Sequence, residues 1–545
     1  MMKRICLITC VLLFSLLNYA QKIQPTKNII LMIADGTSPS VLTASRWTKI
    51  YRNAGNKLNI DPWLCGTVST FSSNAPIGDS APTTSCYMTG IAAQASNISI
   101  YPVADPANDL IRLNPDSAYQ PLVTILEAMQ KEQNKAAGLV VTCEFPHATP
   151  ADCASHFYNR SDYKVLAPQM AYNNLEVMFG GGNDYVTEDM KQHFSNTGTT
   201  YIKDDKDALM KFNGERVWAL FGQREIPYDL DRDTMNVPSL AQMTSKALEV
   251  LNKNKKGFFL MVEGSKIDYA AHANDPAGII SEYLAFDEAI GKAIDFARKD
   301  KNTTVVVLAD HGNSGFSIGR NGMSKSYTKM TLEDLFGTFS KYKRTTVGLE
   351  KILLSTKPDS LKQVFKIYTG IDITEDELNS LKGANNYKVD NYMNAANVQN
   401  LAYFITKIMN SHSNFGFTSS GHTGEDVFLA VYHPKNHRPT GNIRNNEVNN
   451  YLFKAAGLKT SLKEQANEMF AKHTDVFAGM EYRIENQQDK PIKLIVKYES
   501  GVLEIPAFSS VGKFNEKPFD IGSVVVYIDK NNTFYLPKNL RKKFK

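Results

Sequence analysis

The chain has 545 residues, 43% of them apolar and 21% charged, which is enough to bury a large core, and it contains no low-complexity tract. Its formal net charge of +5 is too small to mark a nucleic-acid-binding or membrane-surface protein. Met1 to Arg4 is a short basic start, residues 5–17 are apolar, and Asn18-Tyr19-Ala20 precedes Gln21. That pattern predicts a secretory signal peptide over residues 1–20, with an apolar run too short to span a bilayer. A soluble protein exported to the periplasm or beyond the cell is expected. Four cysteines then remain, Cys65, Cys86, Cys143 and Cys153. An oxidising compartment permits disulfides, buried free thiols fit as well, and no C-x-x-C spacing marks a thiolate metal site.

Short apolar or β-branched runs alternate with helical patterns along the chain. Residues 29–33 read as a strand, 122–131 as a helix, 139–142 and 217–221 as strands, and 240–252 as a helix. A strand at 258–262, a helix at 282–298, and strands at 304–308 and 427–432 follow. Nearly continuous apolar strands alternating with helices predict an α/β fold, a largely parallel central sheet covered by helices on both faces. Residues from about 322 to 420 are helical and polar, with amphipathic runs at 349–354, 361–368 and 398–409, and read as a long insertion, a lid or subsidiary lobe. From about residue 481 the pattern alternates, as at 493–498 and 524–528, with a turn at 529–532. A catalytic domain over 26–475 and a small β-rich module over 481–545 are therefore expected.

In a parallel α/β sheet the functional groups gather beyond the carboxyl ends of the strands. Asp35, Glu263 and the pair Asp310-His311 each close a predicted strand, and His422 stands just before another. Asp268 and His272, four residues apart, share one helical face. A single Asp at a strand end reads equally as a cap or turn residue. Four such clusters together point to a metal centre with oxygen and imidazole ligands. Gly78-Asp79-Ser80-Ala81-Pro82 opens a helical stretch. In isolation it reads as an N-cap, yet a serine there also has amide donors and a favourable dipole for an oxyanion. A serine hydroxyl becomes a good nucleophile only beside a base or metal, which the other clusters supply.

Across roughly residues 27 to 432, apart from the insertion, the chain resembles the classical alkaline phosphatase family. The resemblance rests on Asn28-Ile29-Ile30-Leu31-Met32-Ile33-Ala34-Asp35-Gly36, on Gly78-Asp79-Ser80-Ala81 with Thr89-Gly90, and on Ala148-Thr149-Pro150-Ala151 with Arg160 eleven residues after the threonine. Residues 238–244 look like a characteristic helix start, and 258–272, 304–311 and His422-Thr423-Gly424 follow in family order. The resemblance implies Ser80 as nucleophile, Arg160 as phosphate clamp and Asp79 as its orienter. It implies one zinc on Asp268, His272 and His422, and a second on Asp35, Asp310 and His311. A third ion, usually magnesium, would sit on Asp35, Thr149 and Glu263. Two in-line displacements through a phosphoserine would then hydrolyse small-molecule phosphate monoesters with net retention. The family is commonly dimeric, so a homodimer is the implied assembly. Two positions depart from a well-known bacterial pattern: His147 stands where Asp is often found and Tyr269 where Lys is often found, which leaves the third ion's identity open.

Three competing readings have discriminating features. A sulfatase of the same superfamily would carry an arginine at position 84, where this chain has Thr84. A phosphodiesterase would not need Arg160, whose charge suits the additional free oxygens of a monoester. A non-catalytic exported phosphate- or metal-binding protein would not need the complete catalytic set.

Overall fold

The structure is a computed structural model that describes residues 23–323, 325–385, 392–393, 398–487 and 491–544. The predicted signal peptide lies outside the described residues.

The central sheet has ten strands: β1 (Asn28–Ala34), β2 (Leu64–Ser69), β3 (Ala136–Glu144), β4 (Val177–Gly181), β5 (Thr200–Lys203), β6 (Val217–Leu220), β7 (Phe258–Gly264), β8 (Thr303–Ala309), β13 (Val427–Tyr432) and β14 (Gly441–Arg444). Between β8 and β13 lie four two-residue strands, β9 (Gly312–Asn313), β10 (Ser317–Ile318), β11 (Phe415–Gly416) and β12 (His422–Thr423). The spatial order is β14-β2-β13-β8-β1-β7-β3-β4-β6-β5, and only β13 runs against its neighbours. The central strands β1, β3, β7 and β8 are buried along their whole length, because helices cover both faces of the sheet. Each fully buried Leu, Ile, Val or Met contributes about 1.5–3 kcal/mol, so this centre is the most strongly stabilised part of the molecule.

Helices Leu240–Leu251 and Pro276–Asp300 pack side by side on one face, and Ile125–Gln133 and Asn445–Ala456 pack on the other. Their starts are set locally. Ser239 and Gln242 form a reciprocal capping box, as do Thr124 and Glu127, while Asp275 caps the 25-residue helix whose first position is Pro276.

The expected insertion holds helices Leu332–Phe336, Thr346–Leu354, Leu361–Thr369, Glu375–Lys382 and Leu401–Ser411. Their apolar faces bury Leu349, Leu353, Phe365, Ile405 and Met409 in the main hydrophobic core, so this segment is packed rather than detached. Beyond residue 470, β22 (Thr533–Leu536) pairs on one side with β15 (Ala471–Lys472) and on the other with β21 (Val526–Ile528), and a five-stranded antiparallel meander is made by β16 (Tyr482–Glu485), β17 (Lys493–Tyr498), β18 (Gly501–Pro506), β19 (Val511–Phe514) and β20 (Lys517–Asp520). Alternation ties this module to the rest. Val526, Ile528 and Tyr535 enter the main core, whereas Val525, Tyr527, Phe534 and Leu536 fill a second core with Leu494, Val496, Leu503 and Ile505. Cys65, Cys86, Cys143 and Cys153 are free thiols. No helix among the described residues is long and apolar enough to cross a membrane.

Candidate active site and metal centre

Register places the site. Ala34 at the end of β1 lies between Gly264 of β7 and Ala309 of β8, so the residues that follow these strands emerge together at the sheet's carboxyl edge. There the structure brings together Asp35, Glu263, Asp310 and His311. The short pairing of His422 with Asn313 and of Thr423 with Gly312 carries His422 to the same edge, where its ring stacks on His311 at 3.7 Å. Gly36 adopts a left-handed φ of +57°, and a Cβ there would lie 2.1 Å from Asp268 Oδ1. Its amide donates to Asp310 Oδ1 at 3.0 Å. Glycine at this position lets the chain after β1 pass close to Asp268.

The three predicted histidine ligands share one arrangement. His272 Nδ1 lies 2.8 Å from the Ser420 carbonyl, His422 Nδ1 3.1 Å from the Gly78 carbonyl, and His311 Nδ1 3.1 Å from the Gly312 carbonyl. A carbonyl can only accept, so each Nδ1 carries a proton and each Nε2 is the nitrogen turned inward, able to offer a lone pair once deprotonated. The Nε2 atoms of His272 and His422 face each other at 3.2 Å beside the Asp268 carboxylate. His311 Nε2 lies 3.4 Å from Asp35 Oδ1 and 3.6 Å from Asp310 Oδ2. Lone pairs and carboxylates converging in a buried space repel unless a cation stands between them. An imidazole anchored through its outer nitrogen is also the usual support of a metal-ligating histidine.

The buried oxygens agree. Asp35 Oδ2, Asp268 Oδ2, Asp310 Oδ2, Glu263 Oε1 and Thr149 Oγ1 have no hydrogen-bond partner among the described residues. Leaving such atoms unsatisfied costs about 1–3 kcal/mol each, more for charged groups. Other buried oxygens also lack a partner, such as those of Ser45, Thr84 and Tyr283, but four of these five are carboxylate oxygens, a donor set that fits cations. The electrostatics point the same way. Burial and the Asp310 and Asp268 carboxylates push Asp35 well above the usual carboxylate range, and burial with Asp310 pushes Glu263 up to about 8. Burial also opposes charge on Asp268, yet His272, His422 and His311 outweigh it and hold that carboxyl below its ordinary value.

Ser80 begins the helix Ser80–Thr89 and is 1% exposed. The N-cap is Asp79, whose carboxylate accepts from the Ser80 amide at 2.8 Å, so the serine hydroxyl is free of capping duty. Ser80 Oγ lies 3.2 Å from both Asp35 Oδ1 and His311 Nε2. Asp79 Oδ1 also accepts from Arg160 Nη1 at 2.7 Å. Burial disfavours the Asp79 charge, but Arg160, His422 and His311 hold its carboxyl well below the usual range. One carboxylate thereby fixes the helix start and the guanidinium together.

His147 Nε2 faces two groups, Arg160 Nη2 at 3.2 Å and the Tyr392 hydroxyl at 3.0 Å. Burial and Arg160 lower His147 to about 3, which keeps the ring neutral. Tyr269 lies under Tyr392, the ring centroids 3.7 Å apart and nearly parallel. Cys143 Sγ, His147 and Glu263 offer ligand atoms within 4.8 Å of one another.

Every predicted site residue except Thr149, which is buried two residues after His147, is thus tied by a contact to this one neighbourhood. Sequence reasoning missed Tyr392, Cys143 and Asn313, whose Nδ2 donates to Asp268 Oδ1 at 2.6 Å. Asn313 follows Asp310-His311 by two residues and was within reach of a strand-end argument. Tyr392 stands in the insertion, 123 positions after its stacking partner Tyr269, with no local signal.

The family model for alkaline phosphatase matches residues 26–458. The chain belongs to the alkaline phosphatase family. Alkaline phosphatase 3 of Bacillus subtilis is 33% identical over 443 residues, covering 79% of this chain and 88% of the relative. The repressible alkaline phosphatase of Saccharomyces cerevisiae is 29% identical, covering 85% and 86%. Among solved structures, a cold-active alkaline phosphatase from the psychrophile Shewanella sp. superposes with a TM-score of 0.67 at 27% identity, over 79% of this chain and 99% of that one.

Proposed function

We propose that the chain hydrolyses phosphate monoesters to an alcohol and inorganic phosphate through a phosphoserine on Ser80. The observation that carries this reading is the Ser80 hydroxyl, buried and released from capping, placed between Asp35 and His311 at a helix start. Asp268, His272 and His422 would hold one zinc, and Asp35, Asp310 and His311 a second. Asp35, Thr149 and Glu263 would hold a third ion, magnesium by its oxygen donors. When bound, these ions supply Lewis acidity that favours the serine alkoxide and offsets charge on the departing oxygen.

The chain's own groups do the rest. Arg160 pairs with nonbridging phosphoryl oxygens, which suits a planar guanidinium held on one side by Asp79. The amides at the start of the Ser80–Thr89 helix add donors and a favourable dipole. Ser80 Oγ forms a bond to phosphorus as the bond to the alcohol oxygen breaks, and the alcohol leaves with a proton. Water then attacks phosphorus from the vacated side, the Ser80 oxygen departs, and phosphate is released. Two inversions give retention. The basic start and apolar run of residues 1–20 support export, and the two hydrophobic cores support a catalytic domain followed by a C-terminal module.

The test is hydrolysis of an aryl phosphate monoester against the matching diester and sulfate in alkaline buffer, before and after chelation and with zinc and magnesium restored. Monoesterase activity lost on chelation and recovered with metal supports the reading. Preference for diester or sulfate, or indifference to chelation, overturns it.

A further inference from the structure

The basic C-terminal turn, Leu540–Phe544, is held down at both ends. Leu540 is buried in the second core, and the Phe544 ring packs on Phe514 and Phe519 with centroids 4.8 Å apart in each pair. Between those anchors Arg541 donates to the Ala478 carbonyl at 3.0 Å. The cations of this turn therefore stand on a fixed surface, not on a loose tail. They border a groove of about 610 Å³, where Lys472, Lys538, Arg541 and Lys542 face a single carboxylate, Asp475. Gln120 closes the groove from the catalytic side and donates to the Phe470 carbonyl at 2.8 Å. A concave surface with one dominant sign concentrates its field and draws anions. A second groove of about 430 Å³ shares Asn467 and Lys538 with the first. Charge is balanced there, Lys131 and Lys538 against Glu464 and Glu468, and Thr460 and Gln465 add a hydroxyl and an amide. The two form one polar trough with its positive charge gathered at one end.

We propose that this trough binds an acidic oligosaccharide, a chain with carboxylate or sulfate groups among its hydroxyls, and so anchors the protein on an anionic polysaccharide. The acid groups meet the lysines and the Arg541 guanidinium, whose planar fork suits two oxygens at once. Sugar hydroxyls donate to Asp475 and Glu464 and exchange hydrogen bonds with Asn467 and Gln465. Linear polyphosphate fits less well, because it has no chain hydroxyls to offer those carboxylates and is repelled by them. Single-stranded nucleic acid binds on exposed aromatic platforms, whereas Phe470, the aromatic residue of the lining, is only 1% exposed. Neither Ser80, Arg160 nor any predicted metal ligand lines the trough, so anchoring and turnover are separable.

The experiment titrates the intact, metal-loaded protein calorimetrically with a galacturonate hexasaccharide, a sulfated heparin hexasaccharide, a neutral dextran oligosaccharide, polyphosphate and single-stranded DNA. At least one acidic sugar should bind, the pair telling carboxylate from sulfate, and its affinity should fall steeply as salt is raised. Dextran should not bind. Reversing two trough charges, Lys472→Glu with Lys542→Glu, should weaken binding by about tenfold or more and leave kcat/KM for an aryl phosphate unchanged. The same reversal at Lys517 and Lys530, exposed lysines outside the trough, should leave sugar affinity unchanged and so separates a site from general basic charge. Three results overturn the proposal: neither acidic sugar binds, polyphosphate or DNA binds more tightly than both, or the trough reversal weakens binding no more than the control reversal. None of these depends on turnover, so the monoesterase reading stands or falls separately.

Discussion

Gly36→Ala is the smallest change expected to dismantle the first cation cluster. The left-handed backbone at φ +57° costs about 1–2 kcal/mol for an alanine. The larger effect is steric. The new methyl would lie 2.1 Å from Asp268 Oδ1, so that carboxylate must retreat by roughly 1 Å to reach van der Waals distance. Asp268 cannot yield freely, because Asn313 holds the same oxygen and the side chain is fully buried. A misplacement of about 1 Å at a reacting centre costs about 100-fold in rate, so kcat on an aryl phosphate should fall by at least that factor. Metal analysis after dialysis should show a matching loss of bound zinc. Gly198→Ala is the control. It has φ +68° with open space around the added methyl, so it should lose about 1 kcal/mol of stability and keep its activity. A Gly36→Ala protein with wild-type kcat and metal content would refute the reasoning.

Three further outcomes follow from the same geometry. Asp79→Ala frees Arg160 and uncaps the Ser80 helix, so kcat/KM for a monoester should drop about 10- to 100-fold, with Arg160→Ala producing a comparable loss and the double variant little more, because the two residues act as one unit. Burial raises Glu282 to about 7, so its folded-state value exceeds the ordinary carboxylate value; its contribution to stability is full below about pH 4.5 and is lost as pH rises through 7. Glu282→Gln, which can still accept from the Asp229 amide, should therefore unfold at a higher urea concentration than wild type at pH 8, by about 1–3 kcal/mol, with the gap closing near pH 5. Tyr535→Ala opens a cavity where the C-terminal module meets the main core and should cost about 3–5 kcal/mol, read as a fall in Tm with kcat at permissive temperature preserved.

The strands that carry ligands were legible because they are buried on both faces and therefore uniformly apolar. The strand predicted at 427–432 matches β13 residue for residue, those at 29–33 and 304–308 extend by one residue at each end, and that at 258–262 extends by two residues at its C-terminal end. Strands β2, β4, β5 and β14 escaped notice for a shared reason. Leu-Cys-Gly-Thr-Val-Ser, Val-Met-Phe-Gly-Gly, Thr-Tyr-Ile-Lys and Gly-Asn-Ile-Arg are short, and they are interrupted by glycine or half exposed, so neither a continuous run nor a clean alternation marks them. At β2 the glycine has a cause: a Cβ on Gly66 would lie 2.1 Å from the Gly441 carbonyl of the adjacent strand. The long helix begins at Pro276, six residues before the predicted start, since Asp275-Pro276 forms a cap and first turn that apolar periodicity does not register. Ligand types at strand ends could be read locally. Tyr392 could not, because its place beside Tyr269 and His147 depends on how the whole insertion packs.

The most direct test of the account is to trap the covalent intermediate. Metal-loaded protein incubated with inorganic phosphate in mildly acidic buffer, then acid-quenched and digested, should yield phosphate on the peptide spanning residues 77–88, at Ser80 and absent from Ser80→Ala. Phosphate on a different residue, or a Ser80→Ala protein that retains wild-type turnover, would contradict it.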